Sequence, residues 1–185
     1  WPGNRMSESL ETRINAAVVV GDQRTATQDI EFPIHQLVEI AVRALSPGIN
    51  DPFTAITCVD RLGSALHRLA QREMPSPFRL DEQGQLRVVA PAVTLAEIVD
   101  ASVGAIRQYA RSSTVVTIRL LETIAVIAGA THGPTDRAAL LRQAEMIVRG
   151  AREALPEDGD RREVEERYRG VSRALSGSEL SRDPT

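Results

Sequence analysis

The sequence contains no lysine, and all 22 of its basic residues are arginine. Against 25 acidic residues they leave a net charge of −3, so no basic excess exists to neutralise phosphates, and general nucleic-acid binding is excluded. Arginine holds anions in a bidentate fork that lysine lacks, but the base composition of a GC-rich genome explains the bias more simply. Aromatic residues are scarce at 3%, which leaves Leu, Ile, Val and Ala to build the core and favours packed helices over a β-sandwich. The single Cys58 cannot form an internal disulfide and is compatible with a reducing compartment. No run of about 18 apolar residues is present, so no stretch is expected to span a membrane. His35, His67 and His132 lack ligand-like spacing, and neither common Gly-rich phosphate loop occurs. Neither metal nor cofactor is expected. The chain begins Trp-Pro and shows no signal-peptide pattern, so it reads as part of a longer protein.

What is present is helical periodicity. The residues predict a mainly α fold, a compact bundle of about six helices with one small β-hairpin. Residues 1–21 read as a lead-in with a helix through about Val19, and Thr27 is the candidate N-cap of the next helix. Ile34, Leu37, Val38, Ala41 and Leu45 form a buried stripe behind Pro33, with Glu39 and Arg43 paired on the other side. Phe53, Ile56, Val59, Leu62 and Leu66 line a second helix that ends by Pro75 and Pro77. A hairpin near 78–89 turns at Asp81-Glu82-Gln83-Gly84, and two strands alone are marginal enough to require packing on the helices. Thr94 caps the third core helix, Val115 to Ala128 is apolar nearly all round and so central, and Asp136 opens a helix running to Leu155. The helical core domain is therefore expected over 22–155. A charged helix over 156–175, carrying Val164, Tyr168, Val171 and Leu175, reads as a peripheral strap or a partner-docking segment, and 176–185 as a disordered tail.

The densest motif is R-A-L-S-P-G-I-N-D-P-F-T-A, from Arg43 to Ala55. Ser46 precedes proline and should end a helix, Gly48 suits a positive φ, and Asp51-Pro52 reads as N-cap and first residue of the next helix. A rigid turn explains most of this. Beyond it, Arg43, Ser46, Asn50, Asp51, Asp60 and Arg61 are candidates for a ligand or partner site built on the turn. Asp60, Ser64 and His67 share a helix face, but one helix cannot present a nucleophile as a catalytic triad requires, so a polar stripe is the better reading. A second constellation joins Tyr109-Ala110-Arg111-Ser112-Ser113 to Arg119 and Glu122, which should pair if buried. No catalytic residues are assigned.

The segment R-T-A-T-Q-D-I-E-F through Q-L-V-E-I-A-V-R-A-L-S-P-G-I-N-D-P-F-T-A to C-V-D-R-L-G, with the later Q-Y-A-R-S-S-T-V-V-T-I-R-L-L-E-T-I-A, resembles the DUF2254 family of bacterial predicted membrane proteins. Pro33 stands where glycine is expected in that family. The resemblance implies about four transmembrane helices first, then a small β-rich module, then a helical C-terminal region to which this chain corresponds. It implies a cytoplasmic face at the bacterial inner membrane and the N-terminal transmembrane part of the same protein as partner. It implies no activity. The expected role is regulatory, sensing or assembly. The alternatives are a small-anion-binding or enzymatic site at the Ser46–Asp51 turn, and an oligomerisation module in which the chain pairs with its own copies as a homo-oligomer.

Overall fold

The computed structural model describes residues 8–18, 21–22, 24–25 and 29–176. The Thr27 cap and the tail over 177–185 lie outside them. α1 (Glu8–Ala17) begins on acidic residues, as a helix N-terminus favours, and buries none of its side chains. α2 (Glu31–Ala44) starts under the Asp29 carboxylate, which accepts the Glu31 and Phe32 N–H groups at 3.0 and 3.3 Å. Pro33 falls within the first turn, where a missing N–H breaks no helical bond. α3 (Pro52–Ala70) carries the stripe Ala55, Cys58, Val59, Leu62, Leu66 and Leu69. It stops well before Pro75, and the chain after it brings Met74 back against the core.

α4 (Leu95–Ala110) opens with a capping box: Thr94 accepts the Glu97 N–H while the Glu97 carboxylate accepts the Thr94 N–H. α5 (Thr114–Ala128), α6 (Pro134–Ala154) and α7 (Asp158–Ser176) follow through short turns. The architecture is mainly α with one small hairpin, and seven helices are formed among the described residues because the lead-in supplies α1. The six from α2 onward close a ring in the order α2, α3, α5, α7, α6, α4, and α5 also packs on α4 and α6. Val116, Leu120, Leu121, Ile124 and Ile127 of α5 are buried, which makes it the centre its composition predicts, although Val115 and Val126 reach solvent. α7 lies across α5 and α6 with Val164, Val171 and Leu175 buried in the common core. The core therefore continues beyond residue 155.

The hairpin departs from expectation. β1 (Phe78–Leu80) and β2 (Leu86–Val89) pair antiparallel, yet every residue of both strands is exposed and neither strand packs on a helix among the described residues. It is held by its own turn instead. The Asp81 carboxylate accepts the Gln83 and Gln85 N–H groups at 3.0 and 2.8 Å and the Arg87 guanidinium at 2.6 Å, and Gly84 sits at φ 76°. Prolines at 75, 77 and 91 stiffen both connections.

α3 and α5 run parallel, as the successive contacts Asp60–Arg119, Gly63–Thr123 and His67–Val126 show, and they approach closely at Gly63. A Cβ at Gly63 would stand 2.7 Å from the Thr123 methyl, closer than two carbons can lie. Gly63→Ala should cost about 1–3 kcal/mol in urea unfolding by overpacking. Adding Thr123→Ser, which deletes that methyl, should recover most of the loss.

Candidate functional site

The turn between α2 and α3 satisfies itself. Ser46 Oγ donates to the Arg43 carbonyl at 2.7 Å, Ile49 and Asn50 N–H groups donate to the Ser46 carbonyl at 3.0 and 2.9 Å, and Asp51 N–H donates to the Ala44 carbonyl at 2.8 Å. The residue in the left-handed region is Asn50, at φ 49°, and not Gly48, which has open space around it. Asparagine tolerates that region better than most side chains. The Asp51 carboxylate accepts N–H bonds from Phe53 and Thr54, both at 3.1 Å, and the Thr54 hydroxyl at 2.5 Å. The hydroxyl bond first, with the backbone N–H groups, holds its pKa below the usual carboxylate range. Arg43 reaches back to Glu39 at 2.8 Å. What the turn shows to solvent is apolar, since Ile49 and Phe53 are both well exposed.

Asp60 and Arg61 do not join this group. Asp60 lies further down α3 and meets Arg119 of α5 at 3.5 Å, Arg119 meets Glu122 at 3.5 Å, and Glu122 meets Arg167 of α7 at 3.6 Å. Two acids and two bases alternate across three helices and lie partly open to water, so each pair adds at most about 1 kcal/mol. Arg61 is exposed beside Cys58. The polar stripe on α3 has structural duties too: Ser64 Oγ donates to the Asp60 carbonyl at 3.0 Å, and His67 Nδ1 bonds the Val126 carbonyl at 3.0 Å. That bond requires the proton on Nδ1 and leaves Nε2 to accept from Gln71 at 3.2 Å. Tyr109 and Arg111, grouped in sequence with Arg119 and Glu122, line a cavity with α6 residues instead. Among the described residues, no group of three or more His, Cys, Asp or Glu is placed to hold a metal ion.

One surface feature escapes a reading of the sequence. Register pairs Phe78 with Val89 and Leu80 with Leu86 across an irregularity after Arg79, which gathers these four on one face of the hairpin. Each is more than half exposed. Alternation within each strand hides this, because the irregularity shifts Leu86 relative to Val89.

The Asp51 bonds carry a pH signature. Because the folded pKa is lowered, the stabilisation is complete above the ordinary carboxylate range and is lost as pH falls through the lowered value. Asp51→Ala should lower the urea midpoint at pH 7, and the gap to wild type should close only below about pH 4.

The predicted membrane protein family DUF2254 matches residues 1–126. Uncharacterised proteins of Mycobacterium bovis and of two Mycobacterium tuberculosis strains are 35% identical over 144 residues, covering 78% of this chain and 28% of theirs. The chain thus spans little more than a quarter of the length of these curated relatives. No solved structure matches it significantly. Among the described residues no helix is long and apolar enough to cross a membrane. With the match covering well over half of its residues, the chain belongs to the DUF2254 family of predicted membrane proteins.

Proposed function

We propose that this chain is the cytoplasmic helical module of a bacterial inner-membrane protein, acting without catalysis as a regulatory, sensing or assembly element. The hairpin seats it on the rest of the same protein. The observation that carries this reading is the uncovered face of Phe78, Leu80, Leu86 and Val89. A two-stranded hairpin is marginally stable in water, and an apolar face on one needs a cover. The described helices do not supply it. The relatives are more than three times the matched length, so the remaining chain is the available occupant.

A contact role also suits the turn, whose Ser46 and Asp51 side chains are committed to the turn and the adjoining first turn of α3, while Ile49 and Phe53 face outward. That exposed pair favours a second reading, association with another copy through the turn that carries Arg43, Ser46, Asn50 and Asp51. Light scattering that finds only monomers of this chain would remove it.

Leu80→Asp with Leu86→Asp should leave the stability of this chain within about 0.5 kcal/mol, because both sites are exposed. In the full-length protein the same pair should open the hairpin to protease, whereas wild type resists. Equal cleavage of the two proteins would overturn the docking. Orientation is read separately with Ser64→Cys and a membrane-impermeant maleimide. Cys58 gives little background, since it is buried and burial pushes its thiol pKa up. Labelling should require a permeabilised inner membrane. Labelling in intact spheroplasts would overturn the cytoplasmic assignment.

A further inference from the structure

Most arginines of this fold have a visible partner. Arg43, Arg87, Arg119, Arg142, Arg152 and Arg167 each meet a carboxylate. Arg137 shows the other structural use: it donates to the carbonyls of Thr131, Ala174 and Leu175, at 3.0, 2.8 and 3.1 Å, and straps the end of α7 to the start of α6.

The cleft between α4 and α6 breaks the pattern. Arg107 and Arg111 stand one turn apart at the C-terminal end of α4, Arg149 faces them from α6, and all three line one cavity of about 370 Å³. Among the described residues, no carboxylate lies within ion-pair distance of any of the three, and none of the three donates a hydrogen bond. Glu153 is the one acid in the lining, and it forms no ion pair with them. Arg107 is the sharpest case, for its Nε is buried without a hydrogen-bond partner. Burial first, and then the neighbouring Arg149 charge, lower its pKa.

A helix C-terminus favours cations, and that preference accounts for arginine at the end of α4. It does not account for guanidinium groups from two helices turned into one cavity while leaving every nearby carbonyl alone. Among the described residues Arg61 and Arg68 also lack partners, and Arg111 and Arg149 are exposed as they are; the difference is that Arg111 and Arg149 share one cavity with the half-buried Arg107, whose Nε water does not reach. Like charges gathered in a partly dry cleft repel, and an anion between them removes that repulsion while supplying the missing acceptors.

We propose that this cleft binds a small phosphate-bearing anion of at least two negative charges, held by Arg107, Arg111 and Arg149. Guanidinium forks match phosphate oxygens bidentately, and three of them call for more than a single carboxylate. The volume exceeds that of a bare phosphate ion and lies at the small end of organic ligand sites. Leu120 and Met146 in the lining, with Tyr109, supply apolar contact for an organic remainder. Gly150 adds no side chain to the lining, and the Arg111 Cβ lies 3.7 Å from where one would begin. The cleft lies at the far end of α4 from the hairpin, which favours a water-borne phosphate ester over a phospholipid headgroup.

The test is calorimetric titration of the chain with inorganic pyrophosphate and with inorganic phosphate at constant ionic strength, beside co-sedimentation with vesicles of phosphatidylglycerol or of phosphatidylcholine. Saturable one-to-one binding of pyrophosphate, tighter than phosphate, is expected, with a loss of tenfold or more in both Arg107→Gln and Arg149→Gln and none in Arg61→Gln. Pelleting with phosphatidylglycerol alone, lost in Arg149→Gln, supports the same site with the headgroup as its source. Absence of binding in both arms, or an equal loss in Arg61→Gln, overturns the proposal. Without anion, Arg149→Gln should raise the melting temperature by removing a repelling neighbour. A fall would mark Arg149 as a structural support and overturn the site.

Discussion

α3 and α5 lie as close as they do because residue 63 has no side chain, and the Thr123 methyl occupies the space a Cβ would take. The rest of the bundle follows from that seam. α5 is buried along most of its length, so its position determines where α3, α4, α6 and α7 can pack. Along the solvent edge of the same seam run Asp60, Arg119, Glu122 and Arg167. Individually these pairs are weak. Their value is in register: the dry contact fixes the separation of the helices, and the charges favour one alignment of α3, α5 and α7 along their length.

The all-arginine composition is used by the fold whatever its origin. Arg137 bridges three carbonyls at once, which the planar guanidinium allows with little further loss of freedom. Arg152 does similar work between α6 and α7 through Glu165, and Arg142 between α6 and α4 through Asp100. Against this background of satisfied arginines, the α4–α6 cleft is distinguished by what its side chains lack.

Among the described residues, the hairpin and the outer face of the α2–α3 turn are apolar and uncovered. Surfaces of this kind are suited to contact, and the chain matches little more than a quarter of its relatives' length.

Much of the architecture was legible in local order. Leu and Ile at helical spacing marked α2, α3, α4 and α6, Asp51-Pro52 marked the start of α3, and Thr94 with Glu97 marked the capping box of α4. The functional grouping was less legible, because proximity along the chain is a poor guide to proximity across helices. Asp60 and Asp51 share a motif but face different partners, and Arg111 lies near Arg119 in sequence yet belongs with Arg149. Gly48 looked like the residue of special backbone, while Asn50 took the positive φ because it stands where the chain turns into the Asp51 cap. Strand alternation marked the hairpin, but whether helices covered it depended on proline-stiffened connections whose direction no local pattern encodes. The sequence by itself determined the main elements, the caps of α3 and α4, and the family, since those depend on residues within a few positions of one another. Only the tertiary structure decided which charges were paired, which apolar face was left bare and which arginines met, since those depend on how helices distant in the chain pack side by side.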